Sequence, residues 1–474
     1  MQKIGTVFTI LFFLILSGCM LGPNFQKPEY AGPEKFRFDS TQTVQTVNLR
    51  WWELMHDSTL NILIRTALKE NKDVLIAATR VEFARANIGY IKADMLPALR
   101  YNVSATVSGK SGAVSSALNA YPEFSWEIDF WGKYRRMNET ARAQYLASEY
   151  AKRTVQISLI TAVASTYFTI LASKEQLKIA KNTLASRDSG FTIMEDKYKG
   201  GMISLMDLNQ AKIQRDVAAT VVPTYKRIIA LNENILSVLL GKRPHKIRTG
   251  LSFNKHKYEL DIPVGLPSEL IERRPDVNQA EMLYKAQNAQ IGVAEALRWP
   301  SIGLTGLLGG ASSDLTSLNT MGLTWSAGSM IAGPLFQFGK NKRRVEMARQ
   351  NAKMALLQYE KTVQQAFKDV EDALVSISTY REELAAQESR TRTAVGSEEL
   401  SYIRYNEGTT TYLEVLEQQR QSFSAQLDLL STRLNLLNSY ILLYKALGGG
   451  WLSAQEEQAF LERQNKTARQ VDNK

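Results

Sequence analysis

The sequence predicts an α+β membrane protein in which amphipathic strands form part of a β-barrel and long heptad-patterned helices form a coiled-coil body. Three observations predict it. The chain is written twice, each copy contains period-two alternation, and the helical seams are longer than an ordinary globular domain needs.

The duplication has a period of about 205 residues, in the range where self-similarity decides the fold. Asp73-Val74 recurs as Asp276-Val277, an offset of 276 − 73 = 203, and Ile88-Gly89 as Ile291-Gly292 and Pro97 as Pro300 keep that offset. Gly132-Lys133 then recurs as Gly339-Lys340, an offset of 339 − 132 = 207, which Arg136 and Arg343, Tyr198 and Tyr405, Gly201 and Gly408, and Leu240-Gly241 and Leu447-Gly448 share. The four-residue change falls between Pro97 and Gly132. Length differences gather in loop tips, so each copy is expected to carry a hairpin there.

The strands follow from the alternation. Tyr101, Val103, Ala105 and Val107 alternate with Asn102, Ser104, Thr106 and Ser108. Phe124, Trp126, Ile128 and Phe130 alternate with Ser125, Glu127 and Asp129. Ile302 and Leu304, then Leu323 and Trp325, repeat the arrangement less cleanly in the second copy. Each run is expected to be about ten residues, the length of a tilted membrane strand.

The helices follow from steps of four and three. Leu356, Tyr359, Val363, Ala366, Val370, Ala373, Ile377, Tyr380 and Leu384 form one seam, and Phe423, Leu427, Leu430, Leu434, Leu437, Ile441 and Tyr444 another. Such seams call for knobs-into-holes packing along a partner helix. No proline interrupts Asn341 to Val395, a stretch roughly 80 Å long at about 1.5 Å per residue.

Four amphipathic strands cannot stand alone in lipid, because free sheet edges leave backbone N–H and C=O groups unpaired where no water reaches them. The smallest membrane barrels need about eight strands, so several chains must share one barrel. Three chains give twelve strands; two give eight and leave little open lumen. A trimer is therefore expected, its long helices continuing the barrel as a hollow cylinder.

The chain opens with Lys3, an apolar run from Ile4 to Leu16, and Leu16-Ser17-Gly18-Cys19. This reads as an export signal, residues 1–18, too short to span a bilayer. Cys19 is the single cysteine of the 474 residues, so it forms no intramolecular disulfide, and its position fits lipid attachment. The stretch resembles a bacterial lipoprotein signal, which implies Cys19 as the acylated first residue and a covalent lipid, palmitate included, as the one non-protein group. The formal charge of +11 is spread along the chain and not gathered into a basic stripe, so nucleic acid is not expected as a partner. No later segment offers about 18 consecutive apolar residues, so a membrane crossing falls to the strands.

Several stretches together carry a family resemblance. They are Gly22-Pro23-Asn24-Phe25, Trp51-Trp52, Trp126-Glu127-Ile128-Asp129-Phe130-Trp131-Gly132, Arg273-Arg274-Pro275-Asp276-Val277, and Tyr405-Asn406-Glu407-Gly408 leading into Leu413. In this order and spacing the chain resembles the TolC-like outer-membrane efflux proteins, in their OprM-type lipoprotein branch. The resemblance implies a homotrimer with a twelve-stranded outer-membrane barrel continuous with an α-helical periplasmic tunnel. It also implies docking to a periplasmic adaptor fed by an inner-membrane RND-type transporter. The expected organisation is signal 1–18, lipid-anchored extension 19–50, first repeat 51–241, an equatorial linker 242–267, second repeat 268–448 and a polar tail 449–474. The proline-bearing segments Gly22 to Asn48 and Lys242 to Pro267 lack clear periodicity and are expected to wrap the middle of the tunnel.

The duplicated turn is where functional residues are expected. In each copy a helix runs into Gly201 or Gly408, residues suited to a left-handed backbone, and a second helix departs; both glycines are read as markers of the docking tip. Asp207 corresponds to Glu414, but Gln210 corresponds to Glu417, so only the second turn carries two acids at i and i+3, on one helical face. The resemblance implies that Leu413, Glu414 and Glu417 narrow the closed periplasmic tip. Three copies would gather six carboxylates, which raise one another's pKa and attract cations. The alternative, an ordinary solvated helix face, stays open.

No enzyme is expected. Ser108-Gly109-Lys110-Ser111 imitates the end of a phosphate loop, yet Ser104 stands where the first glycine is required. His56, His245 and His256 lack metal-ligand spacing. Two other functions fit the pattern: the duct of a protein secretion system, or a lipid-anchored coiled-coil scaffold without a pore. The exported compounds are not legible in the sequence.

Overall fold

The computed structural model describes residues 19–29, 36–37, 56–110, 113–256, 271–312 and 322–449. The signal, Trp51-Trp52, the second half of the 242–267 linker and the tail beyond 449 lie outside them. Element order is α1 (Ser58–Glu70), α2 (Lys72–Ala93), β1 (Ala98–Lys110), β2 (Ala113–Ile128), α3 (Lys133–Lys199) and α4 (Leu205–Leu239). It continues with a 3-10 turn (Phe253–Lys255), α5 (Pro275–Ala296), β3 (Ser301–Ser312), β4 (Gly322–Ala332), α6 (Lys340–Asn406) and α7 (Tyr412–Ala446).

The duplication survives at the level of whole elements. α2 and α5 each have 22 residues, α3 and α6 each 67, and α4 and α7 each 35. At about 1.5 Å per residue α3 and α6 run about 100 Å, and α6 extends past both ends of the proline-free stretch that predicted it. All four long helices end in the same motif, with a positive-φ glycine at Gly201, Gly241, Gly408 and Gly448.

The strands form one antiparallel sheet in the order β1-β2-β3-β4. They are longer than expected, at 13, 16, 12 and 11 residues. Phe130, expected on the second strand, lies beyond its end, because Asp129 leaves the ladder to cap α3. The register aligns like with like. Tyr101 faces Pro122, Phe124 faces Gly306, and Leu308 faces Trp325, so Leu99, Tyr101, Val103, Phe124, Leu308, Trp325 and Leu323 fall on one face. On the other face Arg100 stands opposite Glu123, with Asn102, Ser104, Thr106, Tyr121, Thr305 and Ser326 around them. The apolar face is bare in the single chain: Tyr101 is 89% and Trp325 74% exposed. β1 pairs with β2 alone and β4 with β3 alone, so both edges are open among the described residues.

Two compact units are built from interleaved segments: 1–30, 77–152 and 276–362 form one, and 31–76, 153–275 and 363–474 the other. The first holds the sheet. The second is organised around buried Leu60, Ile64, Val163, Tyr167, Phe168, Leu236, Phe253, Leu430, Leu437 and Ile441, and both predicted seams bury residues, Val363, Ala366 and Val370 in one and Leu437 and Ile441 in the other. α3 contains an 18-residue window of mean hydropathy 1.6, apolar enough to cross a membrane by composition. Val163, Ala164, Tyr167, Phe168 and Ile170 of that helix are wholly buried, so its apolarity is spent on this core.

One polar cluster lies inside the second unit. Asp57 caps α1 by accepting from the Thr59 and Leu60 N–H groups at 2.8 and 3.2 Å, and accepts from the Tyr167 hydroxyl at 2.6 Å. His256 Nε2 lies 3.4 Å from the same carboxylate, and the Gly250 N–H donates to the Tyr167 hydroxyl at 3.1 Å. Burial pushes the Asp57 carboxyl up, but the hydrogen bonds from His256, Tyr167 and the two N–H groups outweigh it and hold it below the usual range. A carboxylate depressed in the fold contributes stability above its unfolded value and loses it as the pH falls. Asp57→Asn is therefore expected to cost about 1–3 kcal/mol at pH 7 and less at pH 3. Urea unfolding in detergent at both pH values measures it; equal losses would contradict the assignment.

Candidate functional site: the paired helical turns and the N-terminal strap

Both predicted turns are Schellman caps, and glycine is required at each because the residue is left-handed, with φ +71 at Gly201 and +74 at Gly408. The Met202 N–H reaches the Lys197 carbonyl at 2.9 Å, and the Thr409 N–H reaches the Arg404 carbonyl at 2.9 Å. After the glycine the two turns diverge. In the first, Ser204 and Asp207 form a reciprocal capping box at the start of α4. In the second, Thr411 makes no side-chain cap. Glu414, the counterpart of Asp207, is drawn away to Arg404 at 2.8 Å and to the Thr410 hydroxyl.

Leu413 is 59% exposed, and Glu414 and Glu417 are both partly exposed on the same helix. Within one chain each acid faces an arginine. Glu417 accepts from Arg420 at 2.6 and 2.9 Å and from Gln421 at 2.9 Å, and these hydrogen bonds lower its carboxyl to about 2. The direction is opposite to the one that crowding of acids alone would give. The two turns are joined to each other by Lys197 Nζ, which donates to the Tyr405 hydroxyl at 2.7 Å, and within the second turn the Tyr405 and Tyr412 rings lie 5.2 Å apart. Deeper between the hairpins, buried Arg187 donates to the Gln214 carbonyl at 2.7 Å with its charge disfavoured by burial. The Glu417–Arg420 spacing was legible in the sequence. Arg404, Arg187 and the Lys197–Tyr405 link depend on turn geometry and on packing between distant segments.

Cys19, exposed, stands at the head of a strap laid on the first unit. Arg136, 1% exposed, donates to the Leu21 carbonyl at 2.9 Å, the Gly22 carbonyl at 2.9 Å and Asn24 Oδ1 at 3.0 Å. Asn288 donates to the Pro23 carbonyl at 3.3 Å, Phe25 meets the Tyr284 ring at 5.5 Å, and Lys27 pairs with Glu281 at 3.7 Å. The strap crosses α5 where no side chain fits: a Cβ on Gly292 would lie 2.5 Å from the Leu21 carbonyl oxygen and 2.8 Å from Arg136. Its duplicate, Gly89, has nothing within 4 Å. The strap is thus a feature of one copy of the repeat.

A sheet with one apolar face and two open edges, long paired hairpins and a strap headed by a cysteine define a strand-and-hairpin channel subunit. A model of the outer membrane efflux protein family matches residues 63–242 and again 266–449, and the chain belongs to that family. It is an outer-membrane protein. It is 35% identical over 460 residues to the toluene efflux pump outer membrane protein TtgC of Pseudomonas putida, covering 92% of this chain and 94% of the relative. It is 32% identical to the cation efflux system protein CusC of Escherichia coli over 92% of this chain and 97% of the relative. The Campylobacter jejuni CmeC outer membrane channel superposes with a TM-score of 0.87 at 25% identity, over 94% of this chain and 98% of that one.

The geometry of the strap makes a contrast. Gly292→Ala is expected to release residues 19–29, whereas Gly89→Ala leaves them bound. Limited proteolysis of the purified variants reads this as N-terminal trimming in the first alone; equal trimming in both contradicts the docking.

Proposed function

We propose that this chain is the outer-membrane channel of a tripartite efflux pump, acting as a homotrimer whose twelve-stranded barrel passes small molecules outward without chemistry. The observation that carries the reading is the register. It gathers an apolar face across all four strands and a polar face behind it, and leaves β1 and β4 as unpaired edges. In lipid those edges must be paired, and further copies of the same chain supply the strands. The apolar face then meets lipid, and the face with Arg100, Glu123 and Thr106 lines the lumen.

The remaining parts take their places accordingly. Cys19 carries a covalent lipid and the Arg136-held strap anchors the chain to the outer membrane. The turns at Gly201 and Gly408 mark the end that docks a periplasmic adaptor, itself fed by an inner-membrane RND-type transporter. Leu413, Glu414 and Glu417 narrow the pore at that end, with Arg404 and Arg420 tempering the acid charge. TtgC is named for a toluene pump and CusC for a cation system. One duct architecture thus serves unlike cargo, which assigns selectivity to the transporter.

Native mass measurement and planar-bilayer recording on one detergent preparation test the reading. A conducting trimer is expected; a monomer or dimer without current overturns it in favour of a scaffold. For the gate, Glu414→Ala/Glu417→Ala is expected to raise conductance and abolish divalent-cation block, and Arg404→Ala to strengthen that block by freeing Glu414. Unchanged conductance and block in the double variant would leave the two acids as a solvated helix face.

A further inference from the structure

The two copies of the repeat differ most in charge where α3 and α6 leave the sheet. At the offset of 207, Glu127, Asp129 and Trp131 of the first copy correspond to Pro334, Phe336 and Phe338 of the second, while Lys133, Arg135 and Arg136 correspond to Lys340, Lys342 and Arg343. Met137 corresponds to Arg344. In the first copy every cation has a built partner. Lys133 pairs with Glu127 at 2.5 Å, Arg135 with Asp129 at 3.2 Å, and Arg136 with the strap and Glu139. Asp129 also caps α3, its two oxygens accepting from the Tyr134 and Arg135 N–H groups at 3.0 Å each.

The second copy keeps the cations and Glu346, the counterpart of Glu139, but has lost the two acids that partner Lys133 and Arg135. Lys340 and Lys342 join no ion pair among the described residues; Arg344 reaches only Asn341 at 2.9 Å, and Arg343, 77% exposed, meets Glu346. Phe336 has no carboxylate to offer the start of α6, whose first turn contains no acid. Four cations therefore crowd the positive end of a helix dipole, where they are disfavoured and an anion is favoured. Directly before them Leu335 is fully exposed, Phe336 74% and Phe338 91% exposed. This patch follows directly on β4, whose last residues include Ile331 of the apolar face, and precedes α6.

We propose that residues 335–344 form a docking site for an anionic phospholipid of the leaflet that surrounds this end of the barrel. Leu335, Phe336 and Phe338 enter the acyl boundary, and a headgroup phosphate takes the place at α6 that the Asp129 carboxylate holds at α3, met by Lys340, Lys342 and Arg344. Charge complementarity and continuity with the lipid-facing band select a lipid over a free anion, since exposed aromatics have no use for inorganic phosphate. The site rests on the membrane-barrel reading above.

Delipidated full-length protein in detergent, titrated with short-chain phosphatidylglycerol or phosphatidylcholine and read by native mass spectrometry, tests it. The wild type is expected to retain phosphatidylglycerol at least about tenfold better than phosphatidylcholine, at roughly 1 kcal/mol per basic residue near the headgroups. Lys340→Gln/Lys342→Gln/Arg344→Gln is expected to bring the two lipids to parity. Phe336→Asp, which restores the carboxylate of the first copy, is expected to do the same, and Lys133→Gln to change nothing. Circular dichroism matching the wild type certifies each fold. Undiminished phosphatidylglycerol retention in both variants, or its displacement by equimolar inorganic phosphate, overturns the proposal. Retention of phosphatidylcholine across the set reports on the membrane reading separately.

Discussion

Unpaired backbone at the two edges of a four-stranded sheet is the constraint on which the rest of this structure depends. In water an open edge is a tolerable liability; in hydrocarbon each unpaired N–H or C=O costs several kcal/mol. The register leaves one face apolar over all four strands, which commits the sheet to lipid and so makes the open edges untenable in a lone chain. The duplication supplies two hairpins per chain, and further copies complete the circle under the proposed trimer. In each copy the hairpin of strands is followed in the chain by a hairpin of long helices, α3 with α4 and α6 with α7.

Duplication also explains where function concentrates. Two copies with identical helix lengths make their differences in side chain informative, because the backbone they sit on is the same. The strap lies over Gly292 and not Gly89. The first turn caps itself through Ser204 and Asp207, while the second releases Glu414 toward Arg404 and adds Glu417. Where the long helices leave the sheet, Glu127 and Asp129 of the first copy give way to Pro334 and Phe336 in the second. In each case the conserved backbone is a scaffold and the change of side chain marks a different neighbour.

Much of this was legible in the sequence because it is local or periodic. The offsets of 203 and 207 locate every long element, and Gly201 and Gly408 announce left-handed turns by residue type alone. Alternation located the strands but not their ends: Asp129 keeps period two yet leaves the ladder to cap α3, a reason that becomes visible only with the helix in place. Arg136 enters the sequence reading only as the repeat partner of Arg343, and its burial under the strap depends on segments more than a hundred residues apart. Asp57, Tyr167 and His256 lie 110 and 89 residues apart along the chain, so no spacing rule joins them. The i, i+3 spacing of Glu414 and Glu417 is visible in the sequence, as is that of Glu417 and Arg420, while the turn of Glu414 toward Arg404 required side-chain geometry.

Cysteine cross-linking between edge strands tests the shared barrel most directly. Asn102→Cys on β1 and Ser326→Cys on β4 lie on the polar face, and a short series of neighbouring pairs scans the register between copies. Oxidation in the membrane is predicted to yield, at one register, a ladder of covalent products that ends at three chains. A ladder ending at two chains, or no intermolecular product at any register, would contradict the account.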